Sequence, residues 1–517
     1  MSFKECELLF LHDSVEYIEK ETGKEFIETE DINNIMNILE FFIIKKKLIC
    51  YGGTAINNIL PKEYQFYNRE VDVPDYDVFS KNALEDVKEL ADIFYLEGYE
   101  VEAKSGVHYG TFKIFVNFIP IIDITNLDPI IFDNLYKDID SITISGIKYS
   151  SPNYLRMGIY LELSRPLGEV DRWEKVYKRL LLLNKSYPLK ECNPFDFSTS
   201  IHQSPENESM IVPENNDLFY TVRDSFFEQE VVFFGSFAIS VFNKKIGNKK
   251  IERYPEFDVL AEDIQRCSLV LRERLAERGF KKISEIWHKK IGEIIPTHIE
   301  IRVSNIPVAF IYEPISCHNY NVVKIGNTDV RIATIDTILS FYFAFIYSNM
   351  KKNKERLLCM ASFLFHSQEK NKKIEGIFKR FSLKCIGKQR SMEEIRALKH
   401  KMHKELIPGT LEYYMWFLKY NPENKFKKGS KRSAAHDLYI DYKTKTMTFH
   451  KGNQTTQFSN EYPKPYVDRI FSIQDNVSTE KTYSYPYTSN RQKKTNKKRK
   501  RKAKRKTKTR KVLGFLY

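Results

Sequence analysis

The sequence predicts a mixed α/β protein of the α+β type, in which two copies of one unit follow each other and a disordered basic tail ends the chain. Three observations predict this architecture. Strand and helix patterns alternate in the first third, three sequence blocks recur in order about 180 residues later, and periodicity is lost from Asp475 onward. A chain of 517 residues suits two to four domains of roughly 100 to 200 residues each.

The first unit opens with a helix that Asp31 can cap, because apolar residues follow it at three-and-four spacing. The apolar run 48–51 then predicts a strand that turns at Gly52-Gly53 into a second helix. Residues 70–79 alternate as a strand does, and Ser80 can cap the next helix, which Gly98 ends. Two further strands are predicted at 109–118 and 119–125.

An internal duplication organises the rest of the chain. Residues 50–57 recur as 233–240, residues 74–78 as 255–259, and residues 120–124 as 296–301. Because the order and spacing are nearly constant, we predict two copies of one fold. The predicted segments are an N-terminal helical segment (1–30), the first unit (31–150), a charged helical segment (151–195), a linker (196–216), the second unit (217–335), a helical and mixed region (336–474) and the basic tail (475–517).

Charge is concentrated at the C-terminus. The chain carries a formal net charge of +14, and residues 491–511 alone hold fifteen Lys and Arg and no acid, so the remainder sums to −1. The seven cysteines show no metal-ligand or Cys-x-x-Cys spacing, which predicts reduced thiols and an intracellular, reducing compartment. Neither a signal peptide nor a membrane-spanning apolar stretch is recognisable, so we expect a soluble protein that does not enter a membrane.

Three carboxylates are the candidate chemical centre. Asp75 and Asp77 point to the same face of their strand because side chains alternate, and Asp123 is the only polar residue in an isoleucine-rich run on another strand. Such a cluster suits two divalent cations, which can stabilise the attacking and leaving oxygens of a displacement at phosphorus. The Gly52-Gly53 turn at a helix N-terminus lets backbone amides approach phosphates. Taken alone, an Asp-x-Asp pair is often a solvated strand end and a Gly-Gly pair often only a turn; their ordered combination favours catalysis.

These residues resemble the DNA polymerase β-like nucleotidyltransferase superfamily. Within it they are more similar to the poly(A) polymerase catalytic subunits of large cytoplasmic DNA viruses, the poxvirus and giant-virus type. The resemblance rests on residues 51–57, 73–79, 163–166 and 172–176 and covers roughly residues 40–330. The gap between Gly53 and Asp75 is longer than in the general superfamily.

The resemblance implies tandem nucleotidyltransferase-like domains, the first catalytic and the second degenerate. It implies that Asp75, Asp77 and Asp123 are catalytic and bind two ions of Mg²⁺ or Mn²⁺, with ATP as substrate. The nucleotide-binding residues that we expect are Gly52, Gly53, Thr54, Asn57, Arg165, Arg172 and Lys175. A solvated helical face is the alternative reading of the cations at 165–179.

The sequence leaves the state of the second unit open. Glu256, Asp258 and Glu300 keep a carboxylate at each position that we match to the first unit, so a second live site and a structural platform are both alternatives. We favour the first unit because Glu is longer than Asp and would displace metals from a tight site.

Three functions are compatible with these residues. The leading hypothesis is template-independent polyadenylation of RNA 3′ ends with ATP. The second is another template-independent transferase, such as a CCA-adding or uridylyl enzyme, and the third is a catalytically inactive RNA-binding scaffold. The resemblance further implies a cap-methyltransferase partner and a site of action in the host cytoplasm, in viral factories or the virion; a homodimer is an open alternative.

The tail suits single-stranded RNA because each phosphate contact releases counterions. A nuclear address or a nonspecific adhesive would have the same composition. The expected RNA contacts are Lys497, Lys498, Arg499, Lys500, Arg501 and Lys502.

Overall fold

The computed structural model describes residues 14, 30–67, 75–190, 192, 216–247, 256–348, 354–371 and 375–426, and the backbone of short strands between 435 and 486. The predicted N-terminal segment, the linker and the tail residues 497–502 lie almost entirely outside these ranges. Residues 70–74 of the strand predicted at 70–79 lie outside them too.

The described elements of the first unit follow the predicted order. Its elements are α1 (Glu30–Lys46), β1 (Ile49–Tyr51), α2 (Gly52–Ile59), β2 (Tyr76–Ser80), α3 (Ala83–Leu96), β3 (Val101–Ser105), β4 (Thr111–Val116), β5 (Ile119–Asn126), α4 (Pro129–Lys137), β6 (Ile142–Ile144) and β7 (Ile147–Tyr149). Two helices, α5 (Pro152–Leu163) and α6 (Trp173–Ser186), follow as the predicted charged helical segment.

The second unit repeats this order except that its described residues have no helix at the position of α4. Its elements are α7 (Asn216–Glu228), β8 (Val232–Phe233), α8 (Ser236–Lys245), β9 (Phe257–Leu260), α9 (Ile264–Glu277), β10 (Ile283–His288), β11 (His298–Val303), β12 (Ile306–Tyr312), β13 (His318–Ile325) and β14 (Thr328–Ala333). The later elements are α10 (Ile335–Tyr347), α11 (Lys354–Lys370), β15 (Cys385–Ile386), α12 (Met392–Glu405), α13 (Leu411–Phe417), β16 (Lys419–Tyr420), α14 (Pro422–Phe426), β17 (Ala435–Asp441), β18 (Thr446–Lys451), β19 (Gln454–Phe458) and β20 (Lys481–Pro486).

The sheet topology confirms the duplication. The first sheet has the order β16-β3-β4-β5-β2-β1-β7-β6 and the second the order β10-β11-β12-β9-β8-β14-β13-β15. In both, one central pair is parallel, β2 with β5 and β9 with β12, and both flanking strands run antiparallel to that pair. The centre of each mixed sheet is therefore a parallel pair of strands with an antiparallel strand on either side.

The third recurring block was matched incorrectly in the sequence. Asp123 lies on β5, whose counterpart is β12, whereas Glu300 lies on β11, the counterpart of β4. The hairpin turns agree with this correction, because both joining residues have positive φ in each copy, Asn117 and Phe118 in the first, and 304–305 in the second. Two antiparallel neighbours of similar alternating pattern cannot be told apart by periodicity alone. The true counterpart of Asp123 is Phe310.

The region after the second unit completes both sheets. Strand β15 pairs with β13 of the second sheet, and β16 pairs with β3 of the first. Helix α10 packs against α5, so the buried interiors of the two units are continuous. The predicted segment 336–474 is therefore not an independent region, since it supplies an edge strand to each unit.

Cysteine pairing differs from the reduced thiols that the sequence led us to expect. Disulfides join Cys192 to Cys359 and Cys317 to Cys385, across 167 and 68 residues of sequence, while Cys50 and Cys267 are buried free thiols. Pairs so distant along the chain leave no spacing signal. Among the helices of the described ranges, none is both long enough and apolar enough to cross a bilayer.

Candidate active site

A cavity of about 770 Å³ opens between the central strands of the first unit and the helices that follow it. Its walls come from the β1–α2 turn, from β2 and β5, and from α5 and α6. The three predicted carboxylates all line it, together with Gly52 and Gly53. The cavity thus unites the two motifs that the sequence placed about twenty residues apart.

The carboxylates converge because β2 and β5 are parallel and in register. Asp77 lies directly opposite Asp123 in the strand pairing, and Asp75 immediately precedes β2. Asp75 is exposed, while Asp77 and Asp123 are half-buried. The structure thus places all three predicted acids in the lining of one cavity.

The acids perturb one another. Burial, followed by the charges of Asp75 and Asp123, raises the pKa of Asp77 to about 7. Burial and the charge of Asp123 also raise the pKa of Asp75, against an opposing effect of Lys113. Ionising all three groups together is therefore unfavourable unless a cation joins them.

Lys113 on β4 supplies one positive charge to this cluster. Its ammonium Nζ lies 2.5 Å from Oδ2 of Asp123, and the two residues are cross-strand partners. The lysine side chain is 38% exposed, so it can leave the carboxylate without losing a buried position. Lys113 was not identified from the sequence, although it lies in the strand predicted at 109–118, next to the strand that carries Asp123.

The donor chemistry fits a divalent metal, although the ligands are not yet gathered around one position. Carboxylate oxygens are the ligands that Mg²⁺ prefers, and burial together with the neighbouring acids raises the pKa values of Asp75 and Asp77, so a cation here would favour their ionised forms. Within the described ranges, no group of three His, Cys, Asp or Glu side chains is arranged to hold an ion as it stands. Lys113 occupies one carboxylate oxygen of Asp123, so an ion at that oxygen would displace the lysine.

Gly52 has two reasons to be glycine. Its φ is +72°, which disfavours any side chain, and an added Cβ would lie 2.3 Å from Oδ2 of Asp77. Thr54, one turn into α2, donates from Oγ1 to the backbone oxygen of Asp75 at 2.5 Å. The turn therefore fixes the approach of α2 to both acids of the Asp-x-Asp pair.

Asn57 lines the cavity, but its side chain has a structural role. It is 1% exposed, and its Oδ1 accepts the backbone N–H groups of Phe66 and Tyr67, each at 2.8 Å. The Tyr67 hydroxyl in turn accepts a hydrogen bond from Nη2 of Arg179 at 2.6 Å. Asn57 thus orders the loop after α2, and that loop positions a cation.

The cationic wall lies at the start of α6. Arg172, Lys175 and Arg179 line the cavity, and Arg172 is held by Glu169 at 2.9 Å and Glu162 at 3.4 Å. Lys178 instead pairs with Glu174 on the solvent face. The helix therefore has both a cavity-facing and a solvated set of cations.

Arg165 does not line the cavity, in contrast to its predicted nucleotide contact. It lies where the two units meet, because the backbone oxygen of Ser164 accepts the N–H of Asn319, and the charge of Glu293 acts on Arg165. Burial lowers the pKa of its guanidinium. The motif at 163–166 is thus part of the contact between units.

Other cavity-lining residues were missed by the sequence analysis. Tyr51 stacks on Phe79 with ring centroids 3.7 Å apart, and its hydroxyl shares a hydrogen bond with Thr125. His108, in the β3–β4 turn, also reaches the cavity. Tyr51 lies in the recurring block 50–57 but had no predicted role there, and His108 belongs to no recurrent motif, so only the folded chain shows their proximity.

The second unit lacks the third carboxylate. Asp258 faces Phe310 across the parallel pair, and Glu300 takes the place that Lys113 has in the first unit. Glu300 is held by His288 and Arg302, and burial leaves Glu256 and Asp258 each 1% exposed. This arrangement favours the structural platform over a second live site.

Comparison with known proteins agrees with this geometry. Residues 37–169 match the sequence model of the family described as poly(A) polymerase catalytic subunit. A protein of African swine fever virus (isolate Tick/Malawi/Lil 20-1/1983), whose name assigns it as such a subunit, is 34% identical over 166 residues, which are 31% of this chain and 34% of that protein. The corresponding protein of Acanthamoeba polyphaga mimivirus is 33% identical over 178 residues, 33% of this chain and 29% of that protein.

The fold is shared over a longer range. The crystal structure of the Megavirus polyadenylate synthase superposes with a TM-score of 0.69 at 22% identity, covering 83% of this chain and 87% of that one. The sequence matches span about a third of the length of the curated relatives. The motif-based resemblance to viral poly(A) polymerase catalytic subunits is confirmed over the first unit, and the predicted mixed α/β fold over most of the chain.

Proposed function

We propose that this chain is a template-independent poly(A) polymerase, which transfers AMP from ATP to the 3′ end of RNA and releases pyrophosphate. The observation that carries the proposal is the row formed by Asp77 and Asp123 beside Gly52, at the bottom of a cavity with a cationic wall. All of the acids and the glycine turn fall inside the segment 37–169 that matches the family.

Asp75, Asp77 and Asp123 would hold the metal, Mg²⁺ or Mn²⁺, and we propose two ions. When bound, such ions supply positive charge that stabilises the attacking 3′-hydroxyl and the leaving pyrophosphate. Asp77 and Asp123 act from adjacent strands, so their carboxylates approach one another without a change of backbone. Lys113 neutralises Asp123, and a bound cation would compete with it for that carboxylate.

The chain's own groups bind the triphosphate. The glycine turn at the N-terminus of α2 offers backbone amides, and Arg172, Lys175 and Arg179 offer positive charge from α6 and the turn before it, with the Arg179 guanidinium beside Gly53. Thr54 fixes the backbone of Asp75, so the acids keep their position as the phosphates bind. The new bond joins the RNA 3′ oxygen to the α-phosphorus, and the α-phosphorus–pyrophosphate bond breaks.

RNA would be bound in part by the basic tail, whose cations at 491–511 can neutralise several phosphates. A cap-methyltransferase partner and action in a viral factory or virion are proposals that follow from the resemblance, and a homodimer is an open alternative.

The test uses the full chain with Mg²⁺, a short RNA and one nucleoside triphosphate at a time. ATP-dependent extension supports the proposal, extension with several nucleotides supports another terminal transferase, and RNA binding without extension supports the scaffold. Asp77→Ala is expected to abolish extension and keep RNA binding. The matched control is Glu174→Gln, on the solvent face of α6.

A further inference from the structure

Two helices present their cavity-lining residues at one helical spacing. On each, the residues stand at positions i, i+3, i+4 and i+7, which share one face of a helix. They are Leu155, Gly158, Ile159 and Glu162 on α5, where Tyr154 also lines the cavity, and Arg172, Lys175, Val176 and Arg179 immediately before and along the first half of α6. The α6 face is mainly cationic, whereas the α5 face is apolar and ends in a single acid. The two faces therefore suit different parts of a nucleotide.

Gly158 is the unusual member of the α5 face. It lies inside the helix, and an added Cβ would have no heavy atom within 4 Å, so close packing does not require glycine. Its φ is not in the left-handed region, so the backbone does not require glycine. Glycine destabilises a helix interior relative to alanine. A requirement outside the fold is the remaining reason for it.

The surroundings of Gly158 indicate what that requirement is. Its neighbours Leu155 and Ile159 are each 6% exposed, whereas Gly158 itself is exposed and lines the cavity. The result is a patch of bare helix backbone between two aliphatic side chains. Glycine allows a ligand to approach backbone closely, and a flat apolar patch suits the face of an aromatic ring.

Glu162 closes one end of this patch, one turn beyond Gly158. Its side chain is 27% exposed, and its Oε1 lies 3.4 Å from Nε of Arg172, shielded from solvent. Within the described ranges Oε1 accepts no hydrogen bond. Burial raises the pKa of Glu162, and the charge of Arg172 opposes that rise. As the ion-pair partner of Arg172, the side chain is a carboxylate, which can only accept hydrogen bonds.

An ionised acceptor at the edge of a base discriminates by chemistry. Adenine and cytosine carry an exocyclic amino group that donates, whereas guanine and uracil carry a keto oxygen at the corresponding edge. A carboxylate attracts the first pair and repels the second. The acid therefore favours bases with an amino group.

We infer that the α5 face, which we call the base seat, holds the base of the incoming nucleotide, with Gly158 as its floor and Glu162 accepting the adenine amino group. The base seat comprises Leu155, Gly158, Ile159 and Glu162. The inference rests on the proposed function and adds the part of the cavity that reads the base.

The first test changes the floor. Gly158→Ala should raise the unfolding temperature, because alanine favours helix, and yet raise the KM for ATP by ~10-fold, as one methyl group can in a fitted pocket. Gly158→Val should raise the KM further. A variant that is more stable and has an unchanged KM for ATP would overturn the base seat.

The second test changes the acid. Wild-type protein is compared using ATP and inosine triphosphate, which has a keto oxygen where adenine has its amino group. Glu162→Gln should reduce the ratio of kcat/KM for ATP over that for inosine triphosphate by ~10-fold, because an amide can also donate. Glu174→Gln, an exposed acid on α6 outside the cavity, should leave the ratio unchanged. An unchanged ratio for Glu162→Gln contradicts the inference.

The two proposals fail differently. If wild-type protein extends RNA with no nucleotide, the proposed function fails, and calorimetric binding of ATP against inosine triphosphate still tests the base seat. If wild-type protein uses ATP and both Gly158→Ala and Glu162→Gln behave as wild type, the function stands and the base seat fails.

Discussion

Asp77 lies directly across the β2–β5 pair from Asp123, and Lys113 lies directly across β4–β5 from the same Asp123. One row of side chains on three adjacent strands therefore consists of two acids followed by a cation. The lysine partly neutralises a cluster that would otherwise repel itself. Several measurable properties follow from this row and its neighbours.

Replacement of Lys113 by methionine should tighten Mg²⁺ binding. The ammonium and the metal compete for Asp123, so its removal lowers the Mg²⁺ concentration that gives half of the maximal thermal stabilisation. Lys104→Met is the control, since Lys104 is similarly exposed on β3 and pairs with Glu102. Equal shifts for both variants would contradict the competition.

Asp77→Asn should stabilise the metal-free protein in a pH-dependent way. The pKa of Asp77 is raised to about 7 from an ordinary value of 3.8, so the wild-type fold loses stability as pH rises between those values. The gain from asparagine should be small near pH 4, grow to about pH 7 and then stay constant. Thermal unfolding in EDTA measures it, and a gain that is largest at low pH would exclude this origin.

Gly52→Ala should abolish RNA extension. The added Cβ would overlap the Asp77 carboxylate, and the left-handed backbone costs about 1–2 kcal/mol for a side chain. Gly98→Ala is matched for backbone strain, with φ of +94° and nothing within 4 Å of its Cβ. Chemical denaturation should show similar destabilisation of both variants, and only Gly52→Ala should lose activity. Loss of activity in both would point to strain alone.

Asp258→Asn should keep the wild-type rate of extension per folded molecule. The second unit has Phe310 where the first has Asp123, so Asp258 lacks the neighbouring acid that Asp77 has. Rates are normalised to the folded fraction from circular dichroism, because Asp258 is buried. A loss comparable to that of Asp77→Asn would establish a second catalytic centre.

Removal of residues 491–517 should shorten the products at moderate salt and have little effect at high salt. Each lost phosphate contact changes the log-log salt slope of RNA affinity by about 0.7. A full-length chain with glutamines in place of the tail cations separates charge from length. Product lengths that match wild type across the whole salt series would exclude a tail contribution to processivity.

Local patterns were sufficient to predict the acids. Strand alternation places Asp75 and Asp77 on one face, and an acid within an isoleucine run requires a partner. The fold class followed from the same local patterns and from the repeated blocks. The match of Glu300 to Asp123 was wrong because β4 and β5, and their counterparts, are neighbouring strands with similar alternation.

Contacts between distant parts of the chain could not be predicted. Arg165 belongs to the motif at 163–166 but lies at the contact between the units, since the backbone N–H of Asn319 donates to the backbone oxygen of the neighbouring Ser164. The disulfide between Cys192 and Cys359 likewise joins residues that are far apart in sequence. Such contacts depend on how the helices pack, and sequence spacing does not encode that.

Strand β16 has a consequence for how the molecule is made. The first sheet gains its outer strand only from Lys419–Tyr420, long after a ribosome has released β3. Until then the β3 edge offers unpaired N–H and C=O groups, which invite pairing with another chain. A fragment that ends after α6 would keep all three acids and leave that edge bare, so we expect it to aggregate during expression where the full-length chain does not.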